Sequence, residues 1–76
     1  MDRRTVFSSN IRSIGFDARD GVLEIEFCTG GIYQYSPVPE SVYDELMQAP
    51  SVAKYYQHRI KEHFRYERVG EVEHID

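Results

Sequence analysis

The sequence predicts a small α+β domain, a three-stranded antiparallel β-meander followed by two helices packed on one face of it. Three observations carry that expectation. In the run VLEIEFCTGGIYQYSPVP, from Val22 to Pro39, polar and apolar side chains alternate on either side of a Gly-Gly pair, as in a β-hairpin. From Pro39 onward the apolar spacing changes from a period of two to a helical one, giving two amphipathic segments. The links between segments are short throughout, so successive strands must run antiparallel and the helices must segregate to one side.

Seventy-six residues suffice for one domain, which at this length buries only about 60% of its unfolded surface and has little volume for a deep pocket. Residues 1–69 read as that domain and residues 70–76 as a loose acidic tail. With 41% hydrophobic and 29% charged residues, the chain has enough apolar surface to fold. The lone cysteine, Cys28, has no partner for an internal disulfide. Met1-Asp2-Arg3-Arg4 is not followed by an apolar run, and no stretch approaches a membrane span in length, so the expected setting is cytoplasmic and reducing, away from membranes.

The elements follow in chain order. In Ser9–Asp17, Arg12, Ile14 and Phe16 fall on one side and Ile11 and Ser13 on the other, an imperfect alternation expected of a strand with a bulge. Asp20-Gly21 marks a turn. Leu23, Ile25 and Phe27 then alternate with Glu24 and Glu26, which predicts a strand with one buried face and one solvated face. Thr29-Gly30-Gly31 reverses the chain into Ile32–Ser36. Two loop lengths are open. A two-residue loop sets Tyr33 and Tyr35 on the face opposite Leu23, Ile25 and Phe27, whereas a three-residue loop with Gly30 in the left-handed region sets them on the same face, and the latter is the expectation.

Pro39 suits the first position of a helix. On that helix Val42, Tyr43, Leu46, Met47 and Ala49 share one arc. Pro50 ends it, and Ser51 is placed to cap a second helix. There Val52, Ala53, Tyr56, Ile60 and, at its end, Phe64 point to the core. Lys54, His58, Lys61 and, if the helix extends so far, Arg65 line the opposite side, with Tyr55 and Arg59 on the flank. Alternation returns in Phe64–Val69, compatible with a short extended segment against the sheet. The expected core contains Leu23, Ile25, Phe27, Leu46, Tyr56 and Ile60.

The formal net charge is −4, which argues against a general nucleic-acid coat. The charge is unevenly spread. Residues 54–68 carry five basic and two acidic side chains, and residues 1–53 carry four and eight. The basic stretch is also the one with interleaved aromatics. Lys54, His58, Arg59, Lys61, Arg65 and Arg68 suit phosphate contacts, and Tyr55 and Tyr66 suit stacking, although charge at this spacing is more often a solvated face. Tyr33 and Tyr35 admit two readings, base stacking from an open sheet face or simple core packing.

No constellation for catalysis is expected. His58 and His63 are about 140° apart on a helix and cannot clamp one metal ion. Cys28 lacks the orienting group and oxyanion site that a nucleophile requires. Glu24 and Glu26 read as a wet strand face, not as an acid–base pair. Neither a metal nor a cofactor is implied.

One pattern runs through these segments: Ser8-Ser9-x-Ile11, Gly15-Phe16-Asp17, Leu23-x-Ile25-x-Phe27-x-x-Gly30-x-x-Tyr33-x-Tyr35-x-x-Val38-Pro39-x-x-Val42-Tyr43-x-x-Leu46-x-x-Ala49-x-Ser51, and Ile60. It resembles the KTSC domain family over about residues 8–68, and the Tyr-x-Tyr and Val-Pro run is its most specific part. Ala53 and Tyr55-Tyr56 depart from the Gly and the Tyr-Phe pair that the family pattern carries in the second helix. The family is named for a module at the carboxyl end of some lysyl-tRNA synthetases that also occurs as free-standing small bacterial proteins. What the resemblance implies is a non-enzymatic binding module with RNA or tRNA as ligand, and so small a basic face predicts weak, salt-sensitive binding. The competing expectation is a protein-interaction module, its acidic first helix and basic second helix each meeting a complementary surface.

Overall fold

The computed structural model describes residues 2–71. Its elements are β1 (Arg4–Thr5), β2 (Ile11–Asp17), β3 (Val22–Phe27), β4 (Gly31–Ser36), α1 (Glu40–Gln48), α2 (Val52–Arg59) and β5 (Arg65–Glu71). The strands form a single antiparallel sheet whose spatial order is the chain order. Both helices cover one face, so the α+β class stands as expected.

The strand count differs: five strands replace the expected three. β1 is too short to show any alternation. The extended segment expected at Phe64–Val69 is a full edge strand, β5, which pairs with β4 from Ser36↔Arg65 to Gly31↔Glu71. Gly70 and Glu71, read as the start of a tail, therefore belong to the sheet. The rest of that segment, 72–76, lies outside the described residues.

Two local irregularities set which side chains reach the core. The β2–β3 register shifts between Ile11 and Ser13, and this bulge puts both Ile11 and Ile14 on the helix-covered face despite their odd spacing. At the β3–β4 turn, Gly30 has φ 103° and its N–H donates to the Phe27 carbonyl (2.9 Å). The loop is the three-residue form, and the pairs Leu23↔Tyr35 and Ile25↔Tyr33 follow from it. Tyr33 and Tyr35 thus share the face of Leu23 and Ile25, which removes the open-sheet stacking surface.

The core consists of Ile11, Ile14, Leu23, Ile25, Tyr35, Val38, Leu46 and Ile60, and each fully buried aliphatic chain contributes about 1.5–3 kcal/mol. Phe27 and Tyr56, expected inside, are only partly buried. Ser51 caps α2 by accepting the Lys54 N–H (3.3 Å). α2 stops at Arg59, so Lys61 lies in a turn and Arg65 in β5, neither of them on the helix that was expected to carry them.

The opposite sheet face is not the solvated surface that Glu24 and Glu26 suggested; both are 6% exposed. The N-terminal segment crosses this face, and a Cβ at Gly15 would stand 2.5 Å from the Asp2 carbonyl oxygen, so only glycine admits the crossing. Arg3 then reaches over the strands. Its Nη1 donates to Glu24 Oε2 (2.6 Å) and its Nε to Ser13 Oγ (2.9 Å). Ser13 donates onward to Glu26 Oε1 (2.8 Å), and Gln34 Nε2 donates to Glu24 Oε1 (2.9 Å). Burial alone would raise the Glu24 pKa, but the hydrogen bonds from Gln34 and Arg3 and the Arg3 charge outweigh it and hold the carboxyl below its ordinary value. Alternation alone could not reveal a counter-charge twenty residues away.

Candidate functional site

A cleft of about 800 Å³ opens on the helix-covered side of the sheet, where α2 stands off from β4 and β5. Its walls are aromatic. Tyr33 and Tyr35 enter from β4, Tyr66 from β5, Tyr56 from α2 and Phe27 from the end of β3. These rings contact one another in a connected series, with Phe27–Tyr33 at 5.5 Å, Phe27–Tyr56 at 5.3 Å, Tyr35–Tyr56 at 5.9 Å and Tyr66 at 5.7 Å from both Tyr33 and Tyr35. Most pairs are tilted or edge-on, the geometry that the ring quadrupole favours. Tyr66 is 62% exposed, which leaves much of its ring available to a ligand.

At the inner end the Tyr35 and Tyr56 hydroxyls share a hydrogen bond of 2.5 Å. Burial, and then the Tyr56 hydroxyl, push the Tyr35 pKa strongly up. Burial also raises Tyr56, although its bond to Tyr35 works the other way. The Tyr35 and Tyr56 hydroxyls at the inner end are therefore neutral at any ordinary pH. Lys61, Glu62, Arg68 and Glu71 stand at its mouth, with Arg68 Nη2 3.2 Å from Glu71 Oε1 in an exposed pair that contributes little to stability.

The residues nominated from the sequence separate into two groups. Tyr33, Tyr35, Tyr66, Lys61 and Arg68 converge on the cleft. Lys54, Tyr55, His58, Arg59 and Arg65 do not line it. Arg59 lies 5.8 Å from the Tyr55 ring centroid, and the Tyr55 hydroxyl is enclosed without a hydrogen-bond partner among the described residues. Burial and the Glu45 carboxylate raise its pKa. Arg65 pairs with Ser36, one position from Tyr35↔Tyr66, and so faces the other side of the sheet. The continuous basic ridge expected along α2 is absent, because the helix ends before Lys61 and the strand that follows alternates its basic side chains between two faces.

Sequence reasoning missed Tyr56, Gln57 and Asn10 as cleft residues. At helical spacing Ala53, Tyr56, Gln57 and Ile60 share one stripe, so Gln57 was readable as a polar side chain beside an aromatic wall. Asn10 carried no such signal, since its place depends on the β2–β3 hairpin reaching the cleft's end. Among the described residues no three His, Cys, Asp or Glu side chains gather as a metal site, and no helix is long and apolar enough to cross a membrane.

Comparison with known proteins adds relatives to this geometry. The family model for the KTSC domain matches residues 7–64. An uncharacterised protein of Stutzerimonas stutzeri is 37% identical over 91% of this chain and 99% of its own length. A lysine–tRNA ligase of Nostoc sp. is 38% identical over 82% of this chain, yet the match spans only 11% of the ligase. The crystal structure of a KTSC domain protein from Yersinia pestis superposes with a TM-score of 0.89 at 39% identity, covering 91% of this chain and 97% of that one. The strands and helix that build the tyrosine cleft up to the end of α2 all lie within the matched segment, and the chain belongs to the KTSC domain family.

Proposed function

We propose that this domain is a non-enzymatic module that binds single-stranded RNA, tRNA included, by seating an unpaired base against the cleft tyrosines. The observation that carries the reading is the cleft itself, with tyrosine rings for walls and Lys61 and Arg68 at the mouth. Unstacked bases are held on aromatic side chains, and nearby cations meet the phosphates. The likeness to a segment of lysine–tRNA ligases supports an RNA ligand. With two rim cations offset by Glu62 and Glu71, binding is weak and falls with salt. Titrating labelled single-stranded RNA at two salt concentrations tests this: Tyr66→Ala should abolish most of the binding, and equal binding by that variant would remove the cleft as the site.

The second reading, a protein-interaction module, is favoured by β5. Among the described residues it is an outer strand of the sheet and exposed along nearly its whole length, so its edge is open to an extended peptide. A Val69→Pro substitution, placed in this edge strand, would weaken peptide pairing, whereas Tyr66→Ala, which leaves the backbone of the edge intact, would not.

A further inference from the structure

Two exposed carboxamides line the tyrosine cleft, Asn10 from the position before β2 and Gln57 from α2. Among the described residues, neither amide group is engaged in a hydrogen bond within the protein. Both side chains nonetheless spring from fixed backbone. The Asn10 carbonyl accepts the Cys28 N–H (2.8 Å) and the Asn10 N–H donates to Ser8 Oγ (3.3 Å). Gln57 follows Tyr56 inside α2, so it is held next to the ring wall.

Each carboxamide offers an acceptor and a donor side by side. A ligand that satisfies both carboxamides needs two donor–acceptor edges, approached from different sides. Adenine has them, because its N6 amino group lies between N1 and N7 and its two hydrogens can be divided between the two edges. Guanine, although its N7 and O6 edge shows only acceptors, has two such edges in N1–H with O6 and the N2 amino group with N3, whereas a pyrimidine has only one edge of this kind. The larger purine ring also covers more of the tyrosine wall. We infer that the cleft takes a purine base of a single-stranded RNA, stacked on the tyrosines and held on its two edges by Asn10 and Gln57. This rests on the RNA reading above and adds the class of base and the residues that select it.

The test is a set of anisotropy titrations on the full chain with labelled oligo(A), oligo(U) and oligo(C) of about eight nucleotides, and with AMP as an unlabelled competitor. Oligo(A) should bind at least about tenfold more tightly than the other two. Gln57→Glu keeps the side-chain length but turns the donor into a second acceptor. Its added charge weakens all strands alike, so the ratio between them isolates the lost edge contact, and it should fall to within about twofold. Asn10→Ala should lower the ratio in the same direction. Equal affinity for all three oligomers, lost in Tyr66→Ala, would overturn the purine assignment while leaving the RNA reading intact. Absence of binding by the parent chain at low salt would remove both. AMP competing as well as oligo(A), mole for mole, would overturn the strand and make the ligand a mononucleotide.

Discussion

The Tyr35 hydroxyl in β4 and the Tyr56 hydroxyl in α2 meet at 2.5 Å, so one hydrogen bond ties the sheet to the second helix at the inner end of the cleft. Tyr35→Phe or Tyr56→Phe should each cost about 1 kcal/mol in urea denaturation. The double variant should cost clearly less than the two together, because the second change removes a group already left unpaired. Strictly additive losses would mean the hydroxyls act independently.

The same pair gives the domain an alkaline limit. In the unfolded chain a tyrosine ionises near pH 10, whereas in the fold burial and then the Tyr56 hydroxyl hold Tyr35 well above that. Its contribution to stability is therefore complete below about pH 10 and declines as pH rises further, since only the unfolded state gains by losing the proton. Denaturation midpoints followed upward from neutral pH should fall beyond that point, and fall less in Tyr35→Phe.

Arg3 makes the opposite prediction at the acid end. Arg3→Ala leaves Glu24 and Glu26 facing each other with little solvent, and should destabilise the domain by up to about 3 kcal/mol. Changing Glu24 to Gln as well should recover part of that loss, because the carboxamide needs no counter-charge. The folded Glu24 pKa is depressed, so its contribution is present above the unfolded carboxylate value of about 4.3 and disappears as pH falls through the folded value. Urea midpoints of the parent and of Glu24→Gln, compared from neutral to acid pH, should converge. An acid limit unchanged by Glu24→Gln would show that this carboxylate does not set it.

Leu46, fully buried in α1, links the first helix to the core. Leu46→Ala should cost on the order of 2–5 kcal/mol, read from the shift in denaturation midpoint. A change of a few tenths would contradict the packing described for α1.

The split of the basic residues separates two charge-removal variants. Lys61→Gln with Arg68→Gln should weaken RNA binding and flatten its salt dependence by up to about two phosphate contacts. Lys54→Gln with Arg65→Gln should do neither, since neither side chain lines the cleft. Both pairs should unfold within about 0.5 kcal/mol of the parent. Equal weakening by the two pairs would point to diffuse attraction in place of a site.

Much of this fold was legible because its determinants are local. The β3 alternation, the Gly30 turn, Pro39 and the Ser51 cap each act within a few residues, and the irregular spacing of Ile11 and Ile14 signalled a bulge. What escaped was long-range. β1 is defined by pairing with Ile14 and Ser13, and the burial of Glu24 depends on Arg3. The site divided in the same way. Tyr33 and Tyr35 were found through their face, but the cleft is assembled from three strands and a helix, and extending α2 to Arg65 had drawn together charges that the chain separates at Ile60.

A sheet in chain order has one further consequence, for how the domain opens. β2, β3 and β4 close on one another through short turns, so their pairing depends on few intervening residues and should exchange amide hydrogens slowly. β5 is joined to β4 only through residues 37–64, which carry both helices, and it holds an exposed edge. On the cleft side of the sheet fraying therefore starts there, and Tyr66 travels with it. The cleft has one wall on an exposed edge strand and its other rings on inner strands and α2, which lets it widen around a ligand without disturbing the core that supports it.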